Sequence, residues 1–153
     1  MINLVSLFRK NVCILVGILP FALIADDSAG IAVPDVDARA MEVSVTRHQG
    51  TLWRYIRFST EGDYPCLRFE AIEPGDEWRV ADRRDVCEVP LGEGYSLAFK
   101  DAAYTGFTEV SFSPTEDAFV FQVEYLRRTA EGEKTVSCIL PVADSRIGTV
   151  RCH

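Results

Sequence analysis

Short runs of apolar and β-branched residues, separated by turn residues, recur along most of this chain. The clearest alternation lies in Ala118–Arg128, where Phe119, Phe121, Val123 and Tyr125 fall on one face of an extended strand. Such runs are typical of β-strands bounded by turns. Strands are predicted at Met41–Arg47, Leu52–Thr60, Cys66–Glu73, Trp78–Asp82, Tyr95–Lys100, Phe107–Ser113, Ala118–Arg128, Thr135–Val142 and Gly148–Cys152.

The segments between these runs carry residues that close hairpins. Pro114 presets φ in one turn, Gly132 permits a positive φ in another, and Pro74-Gly75 forms a third. Only Leu91–Ala103 suggests a helical turn, and its glycines disfavour one. Consecutive hairpins predict an all-β fold: a single antiparallel β-sandwich or small barrel, stapled by two disulfides.

The first 25 residues have the pattern of a secretory signal peptide. Arg9 and Lys10 precede the apolar run Val12–Ile24, and a small residue, Ala25, ends it. A membrane-spanning helix needs about 20 apolar residues, more than this run supplies. We therefore expect residues 1–25 to be removed, Cys13 with them, leaving no stable membrane insertion and a periplasmic or secreted protein; cleavage at Ala29 stays open.

Charge divides the remaining chain into two parts. Residues 26–38 hold four acidic residues and no basic residue. This composition predicts a flexible acidic lead-in to a single domain over 39–153. Losing Arg9 and Lys10 would change the net charge from −7 to −9. This charge argues against nucleic acid and anionic membranes, and it fits a cationic protein partner. An acidic surface that only keeps the protein soluble is the alternative.

Four cysteines remain after the leader. A hairpin loop at Asp144-Ser145-Arg146 would place Cys138 opposite Cys152, within disulfide range. A similar count about Asp76 and Glu77 places Cys66 across from Cys87. The expected turn at Pro74-Gly75 is off by a residue, and a β-bulge would correct that. We predict the disulfides Cys66–Cys87 and Cys138–Cys152. A zinc site is the alternative, but it favours close cysteine pairs that this chain lacks.

Candidate chemistry is sparse. Histidine occurs only at His48, expected in a solvated hairpin turn, and at His153. A paired-carboxylate hydrolase would need two converging acids, whereas most acids fall in predicted turns. Strand carboxylates are expected on outward faces: Glu70, Glu109 and Glu124.

The cluster from Asp82 to Glu88 is interrupted by arginines, which favours ion pairing over calcium. No catalytic residue, metal ligand or cofactor is predicted.

Tyr, Trp and Arg are enriched where proteins bind one another, and several occur at exposed-looking positions. Trp53, Tyr55 and Arg57 share one face of a predicted strand, and Leu52, Ile56 and Phe58 share the other. Because both faces carry large apolar groups, one face either contacts a partner or belongs to a central strand covered on both sides. The predicted partner contacts are Trp53, Tyr55, Arg57, Tyr64, Tyr104 and Phe107.

These features predict a small exported binding module of a bacterial envelope. Its most specific form is a proteinaceous inhibitor or immunity-type protein for a cationic secreted enzyme, such as a cell-wall hydrolase. A structural or assembly component of the envelope, acting through sheet edges, is the second hypothesis. A small carboxylate-dependent hydrolase is the third.

Overall fold

A computed structural model describes residues 37–75, 77–92, 94–129 and 132–153. The predicted leader, and the lead-in up to residue 36, lie outside these residues. The described ranges form eleven strands and one 3₁₀ turn. In chain order they are β1 (Ala40–His48), β2 (Thr51–Phe58), β3 (Leu67–Glu73), β4 (Arg79–Val86), β5 (Glu88–Gly92), β6 (Tyr95–Ala98), the 3₁₀ turn Phe99–Asp101, β7 (Ala102–Ser113), β8 (Ala118–Arg127), β9 (Lys134–Ala143), β10 (Arg146–Ile147) and β11 (Arg151–Cys152).

Two antiparallel sheets make up most of the fold. The first has the strand order β1-β2-β3-β4, and the second has the order β10-β9-β8-β7 with β11 also paired to β9. Strands β5 and β6 form a separate hairpin. The aromatic rings of Phe69 on β3 and Phe119 on β8 lie 4.8 Å apart between the sheets. The predicted antiparallel β architecture is confirmed.

The alternation predicted for Ala118–Arg128, the segment that forms β8, builds one wall of the core. Phe119, Phe121, Val123 and Tyr125 are all buried, while the residues between them are partly exposed. Trp53 meets this wall edge-on, with its ring 6.4 Å from that of Phe119. A period of two along the sequence therefore sets which face of β8 meets the other sheet.

Strand β2 is buried on both faces. Trp53 and Tyr55 belong to the core, and Ile56 and Phe58 on the opposite face are also only 1% and 2% exposed. β2 lies between β1 and β3. This arrangement matches the interpretation of a central strand covered on both sides.

Both predicted disulfides are present, and the first depends on the predicted bulge. Glu73 pairs with Arg79, a register that would put Cys66 opposite Val86. The register then shifts by one residue between Ala71 and Ile72, so that Cys66 comes to face Cys87 with a Cα–Cα distance of 4.4 Å.

The second disulfide is right, but the predicted loop is wrong. The turn has only two residues, Asp144 and Ser145, both with positive φ as in tight hairpins. Continuing that register would put Cys138 opposite Arg151. The break between β10 and β11 adds one residue, and Cys138 pairs with Cys152 at a Cα–Cα distance of 4.1 Å.

The break at residues 148–150 starts at a glycine for a steric reason. The N–H of Gly148 donates to the carbonyl oxygen of Pro141 over 2.8 Å. A Cβ atom at this position would lie 2.9 Å from Cγ of Pro141 and 3.0 Å from its carbonyl oxygen. Only a residue without a side chain can approach β9 this closely.

Other differences concern the ends of strands. β4 runs to Val86 rather than ending at Asp82, and β7 begins at Ala102 rather than at Phe107. Strand β5 was not predicted. Leu91–Ala103, the one stretch expected to hold a helical turn, contains the 3₁₀ turn Phe99–Asp101.

Candidate functional site

Three of the six predicted partner contacts are core residues. The side chains of Trp53, Tyr55 and Phe107 are 3%, 6% and 4% exposed. The ring of Trp53 stacks on that of Phe112, and the ring of Phe107 meets that of Phe99 at 5.1 Å. Their size and aromaticity serve packing in this fold, so these side chains present no surface to a partner.

Tyr104 is the most exposed of the six predicted contacts. Its side chain is 49% exposed near the start of β7, where the register with β8 is irregular. A Cβ atom added to Gly106 would lie 2.6 Å from the hydroxyl of Tyr104. The tyrosine therefore lies flat along its own strand because Gly106 leaves room for the hydroxyl.

Arg57 lies beside Tyr104 and joins the two sheets. Its Nη2 forms an ion pair with Glu42 over 2.8 Å, and its Nη1 donates to the carbonyl oxygen of Phe107 over 3.4 Å. The same Glu42 accepts a hydrogen bond from Tyr55 over 2.6 Å. Burial first, and then this hydrogen bond, raise the pKa of Tyr55. Arg57 is thus held in place by groups on β1 and β7.

Two grooves meet at Tyr104. One, of about 380 Å³, is lined by Arg57, Glu61 and Tyr104, and the other, of about 410 Å³, is lined by Glu61, Tyr104 and Thr105. Thr105 is 4% exposed, and its hydroxyl has no hydrogen-bond partner within the described residues. This hydroxyl is itself buried, so Thr105 presents no surface to a partner. We call the area formed by Arg57, Glu61 and Tyr104 the Tyr104 surface.

Tyr64 belongs to a neighbouring cluster rather than to the Tyr104 surface. Its ring lies edge-on to that of Phe58 at 5.2 Å, and the guanidinium of Arg39 lies 5.4 Å from its centre. Burial and a hydrogen bond to Asp85 raise the pKa of Tyr64. Partial burial acts to raise the pKa of Asp85, but hydrogen bonds from Arg68 and Tyr64 lower it overall. Tyr64 is therefore half-buried and fixed by charged neighbours.

A polar cluster that the sequence did not indicate joins three hairpin turns. His48 Nε2 lies 2.6 Å from Asp117 Oδ1, and the hydroxyls of Thr51 and Ser145 lie 2.9 Å apart. His48 also packs against the ring of Phe112. The expectation of a solvated turn histidine is thus wrong. Sequence assigns each residue to a turn but does not reveal which turns share an end of the sandwich.

Glu70 is not on an outward face as predicted. It is 1% exposed and pairs with two guanidinium groups, those of Arg54 and Arg83. A buried carboxylate needs partners of opposite charge, and Glu70 has them on both neighbouring strands. Glu70 acts as a structural anion between β2 and β4.

Two charged residues of the Asp82–Glu88 cluster, Arg83 and Asp85, pair with β3 rather than within the cluster. Arg83 binds Glu70, and Asp85 binds Arg68 on β3 over 2.8 Å. Within the described residues no group of three or more His, Cys, Asp or Glu side chains is arranged to hold a metal ion. The same residues contain no helix with the length and hydropathy to cross a bilayer.

No protein-family model, no curated protein sequence and no solved structure matches this chain. The two disulfides indicate an oxidising, extracytoplasmic environment, because thiols stay reduced in the cytosol.

Proposed function

We propose that this protein is an exported binding module of a bacterial envelope that uses the Tyr104 surface to bind, and inhibit, a cationic secreted enzyme such as a cell-wall hydrolase. The observation that carries the proposal is the exposed Tyr104 between two grooves, with Arg57 fixed beside it. Tyr and Arg are enriched among the few residues that dominate binding at protein interfaces, and Arg57 is held in place before binding by Glu42 and Phe107.

Rigidity supports this proposal. The loop from Ser59 to Pro65 lines both grooves, and the Cys66–Cys87 disulfide fixes its end. A preformed surface loses little conformational entropy when a partner binds. Inhibitory modules gain affinity in this way, so a doubly bridged scaffold suits the role.

The net negative charge of the chain would attract a basic partner from a distance, whereas the charges around the grooves are balanced. The chain carries a net charge of −7, and removal of the predicted leader makes it more acidic. Around the grooves, Glu61 and Asp63 are balanced by Lys100 and Arg128. We therefore expect charge to speed the encounter, and the Tyr104 surface to supply the affinity.

Among the described residues, the carboxyl groups of Asp37, Asp82 and Asp85 have lowered pKa values, because hydrogen bonds hold the ionised form. These carboxylates add to the negative charge that would attract a basic partner.

The test is inhibition of basic cell-wall hydrolases, a lysozyme-type muramidase among them, by the purified protein. Tyr104→Ala should weaken inhibition and binding by tenfold or more, about 1.4 kcal/mol. Tyr95→Ala is the matched control, because Tyr95 is 65% exposed on β6 away from the grooves. The proposal fails if no basic hydrolase is bound, or if both variants bind as tightly as the unmodified protein.

A second candidate function is favoured by one further observation. The apolar side chains exposed on β1 suit an assembly component of the envelope that acts through a sheet edge.

A further inference from the structure

Strand β1 is an open edge of the first sheet. Within the described residues it pairs only with β2, over the register from Ala40↔Phe58 to His48↔Thr51. An edge strand leaves backbone N–H and C=O groups along its other side for a further strand. Nine residues are long enough for a regular antiparallel ladder.

This edge is also apolar. Met41, Val43 and Val45 alternate along β1 and are 69%, 42% and 52% exposed. They are three of the five large hydrophobic side chains exposed in the described ranges. Their period of two puts them on a single face of the strand.

The edge strands β4 and β7 are protected, and β1 is not. β4 carries the charged run Asp82 to Asp85 and a register shift. β7 is interrupted between Thr108 and Ser111, where Glu109 has a φ of 51°. Charges and bulges are the usual devices that prevent edge pairing. On β1 the only irregularity is the register shift between Ala40 and Glu42, which leaves Met41 unpaired near the start of the strand.

We infer that β1 pairs with β1 of a second copy of this chain, antiparallel and about a two-fold axis through Ser44. In this register Val43 faces Val45 of the second copy, and the two four-stranded sheets become one continuous sheet. Met41 faces Arg47 and covers its aliphatic stem. The contact is isologous, so it closes as a dimer.

Charge favours a second copy at this edge in spite of the acidity of the chain. β1 holds one acidic residue, Glu42, and one residue with a fixed positive charge, Arg47, so the strand is neutral where the whole chain carries −7. In the two-fold register Glu42 faces Thr46 and Arg47 faces Met41. No two like charges are directly opposed, which is the arrangement that would otherwise disfavour pairing.

The first test is the mass of the purified protein by sedimentation over about a hundredfold range of concentration. We expect a monomer–dimer equilibrium that Val45→Lys shifts toward monomer, raising the dissociation constant at least about tenfold. Tyr95→Lys is the control, since it places the same charge at an exposed aromatic site on β6. Near-UV circular dichroism and the melting temperature show that both variants remain folded.

The second test fixes the register. Val43→Cys and Val45→Cys are prepared separately, mixed and oxidised mildly. The mixture should cross-link several times faster than either variant alone, because facing Cα atoms lie about 4.5–5.5 Å apart and those two residues further along lie beyond disulfide reach. A protein that is monomeric throughout, a Val45→Lys variant that dimerises normally, or equal cross-linking in all three samples would each overturn the inference.

The proposed dimer and the proposed partner site can be refuted independently of each other. Tyr104→Ala should leave dimerisation unchanged, and Val45→Lys should leave binding to a basic hydrolase unchanged. A monomer that binds such an enzyme refutes only the β1 pairing, whereas a dimer that binds none refutes only the proposed function.

Discussion

Asp82 on β4 accepts a hydrogen bond from the backbone N–H of Ile147 on β10 over 2.8 Å. One carboxylate thereby joins the edges of the two sheets. Its other oxygen accepts the backbone N–H of Arg83 over 2.9 Å. The hydrogen bond from Ile147 is the main reason that the pKa of Asp82 lies below its ordinary value near 3.8.

Asp82 should make stability depend on acid pH. Because the pKa is lower in the folded state, the ionised group stabilises the fold above the ordinary pKa, and this stability is lost as the pH falls through the folded pKa. Asp82→Asn should cost about 1–2 kcal/mol at neutral pH. The difference in the free energy of unfolding between Asp82→Asn and the unmodified protein should shrink from about pH 5 downward, as measured by urea denaturation. Glu133→Gln, at an exposed turn, is the control; parallel curves for Asp82→Asn and the unmodified protein would contradict the assignment.

Glu70 should be one of the most sensitive positions in the first sheet. Glu70→Ala removes the carboxylate that two arginines share, and loss of one partner from a buried ion pair costs about 3–5 kcal/mol. Glu124→Ala on β8, another strand carboxylate, should cost less than about 1 kcal/mol. Chemical denaturation of both variants measures the difference, and similar losses would show that Glu70 is not a structural anion.

The two disulfides should differ in what they support. Replacing either pair by alanine should lower the free energy of unfolding by about 2–4 kcal/mol, since the closed loops are of similar length. Only the loss of Cys66–Cys87 should speed amide exchange in the loop from Ser59 to Pro65, because that bridge alone fixes the end of the loop. Hydrogen exchange followed by mass spectrometry separates the two effects. Equal exchange in this loop for both variants would contradict the prediction.

Substitution of Gly106 should displace the ring of Tyr104 rather than disturb the packing of the core. A Cβ atom at Gly106 would meet the tyrosine hydroxyl at 2.6 Å, so Gly106→Ala should turn the ring away and weaken partner binding several-fold. Nuclear Overhauser contacts between the ring of Tyr104 and residue 106 report the displacement. In a Tyr104→Phe background the same change should have a smaller effect, because the closest atom has gone. An unchanged ring position in Gly106→Ala would refute this coupling.

Much of the framework could be predicted because it follows from local rules. Strand alternation identified the core face of β8, and counting residues across hairpins identified both disulfides. The second pairing came out right through two compensating differences. The turn at Asp144-Ser145 is one residue shorter than predicted, and the break after Ile147 restores that residue. Hairpin arithmetic is therefore informative about pairing even where the turn is misassigned.

What could not be predicted depends on contacts between residues that are distant in the chain. The sequence shows Glu70 as one charged residue in an alternating strand, and nothing nearby reveals the arginines on two adjacent strands that neutralise it. His48 and Asp117 lie 69 residues apart and meet only because their turns share one end of the sandwich. Of the predicted contacts, Tyr104 was correctly placed at the surface, whereas Trp53 is a core residue in spite of its interface-like composition.

Each disulfide links strands within one sheet, and neither crosses between the two sheets. If heat or urea unfolds the chain without reducing it, both hairpins stay closed at their native alignment. The search for the native state then starts with β3 aligned to β4 and β9 aligned to β11, which removes two pairing steps from folding. Oxidised protein should therefore regain its structure far faster than reduced protein, because each bridge preserves the alignment of one pair of strands in the unfolded chain.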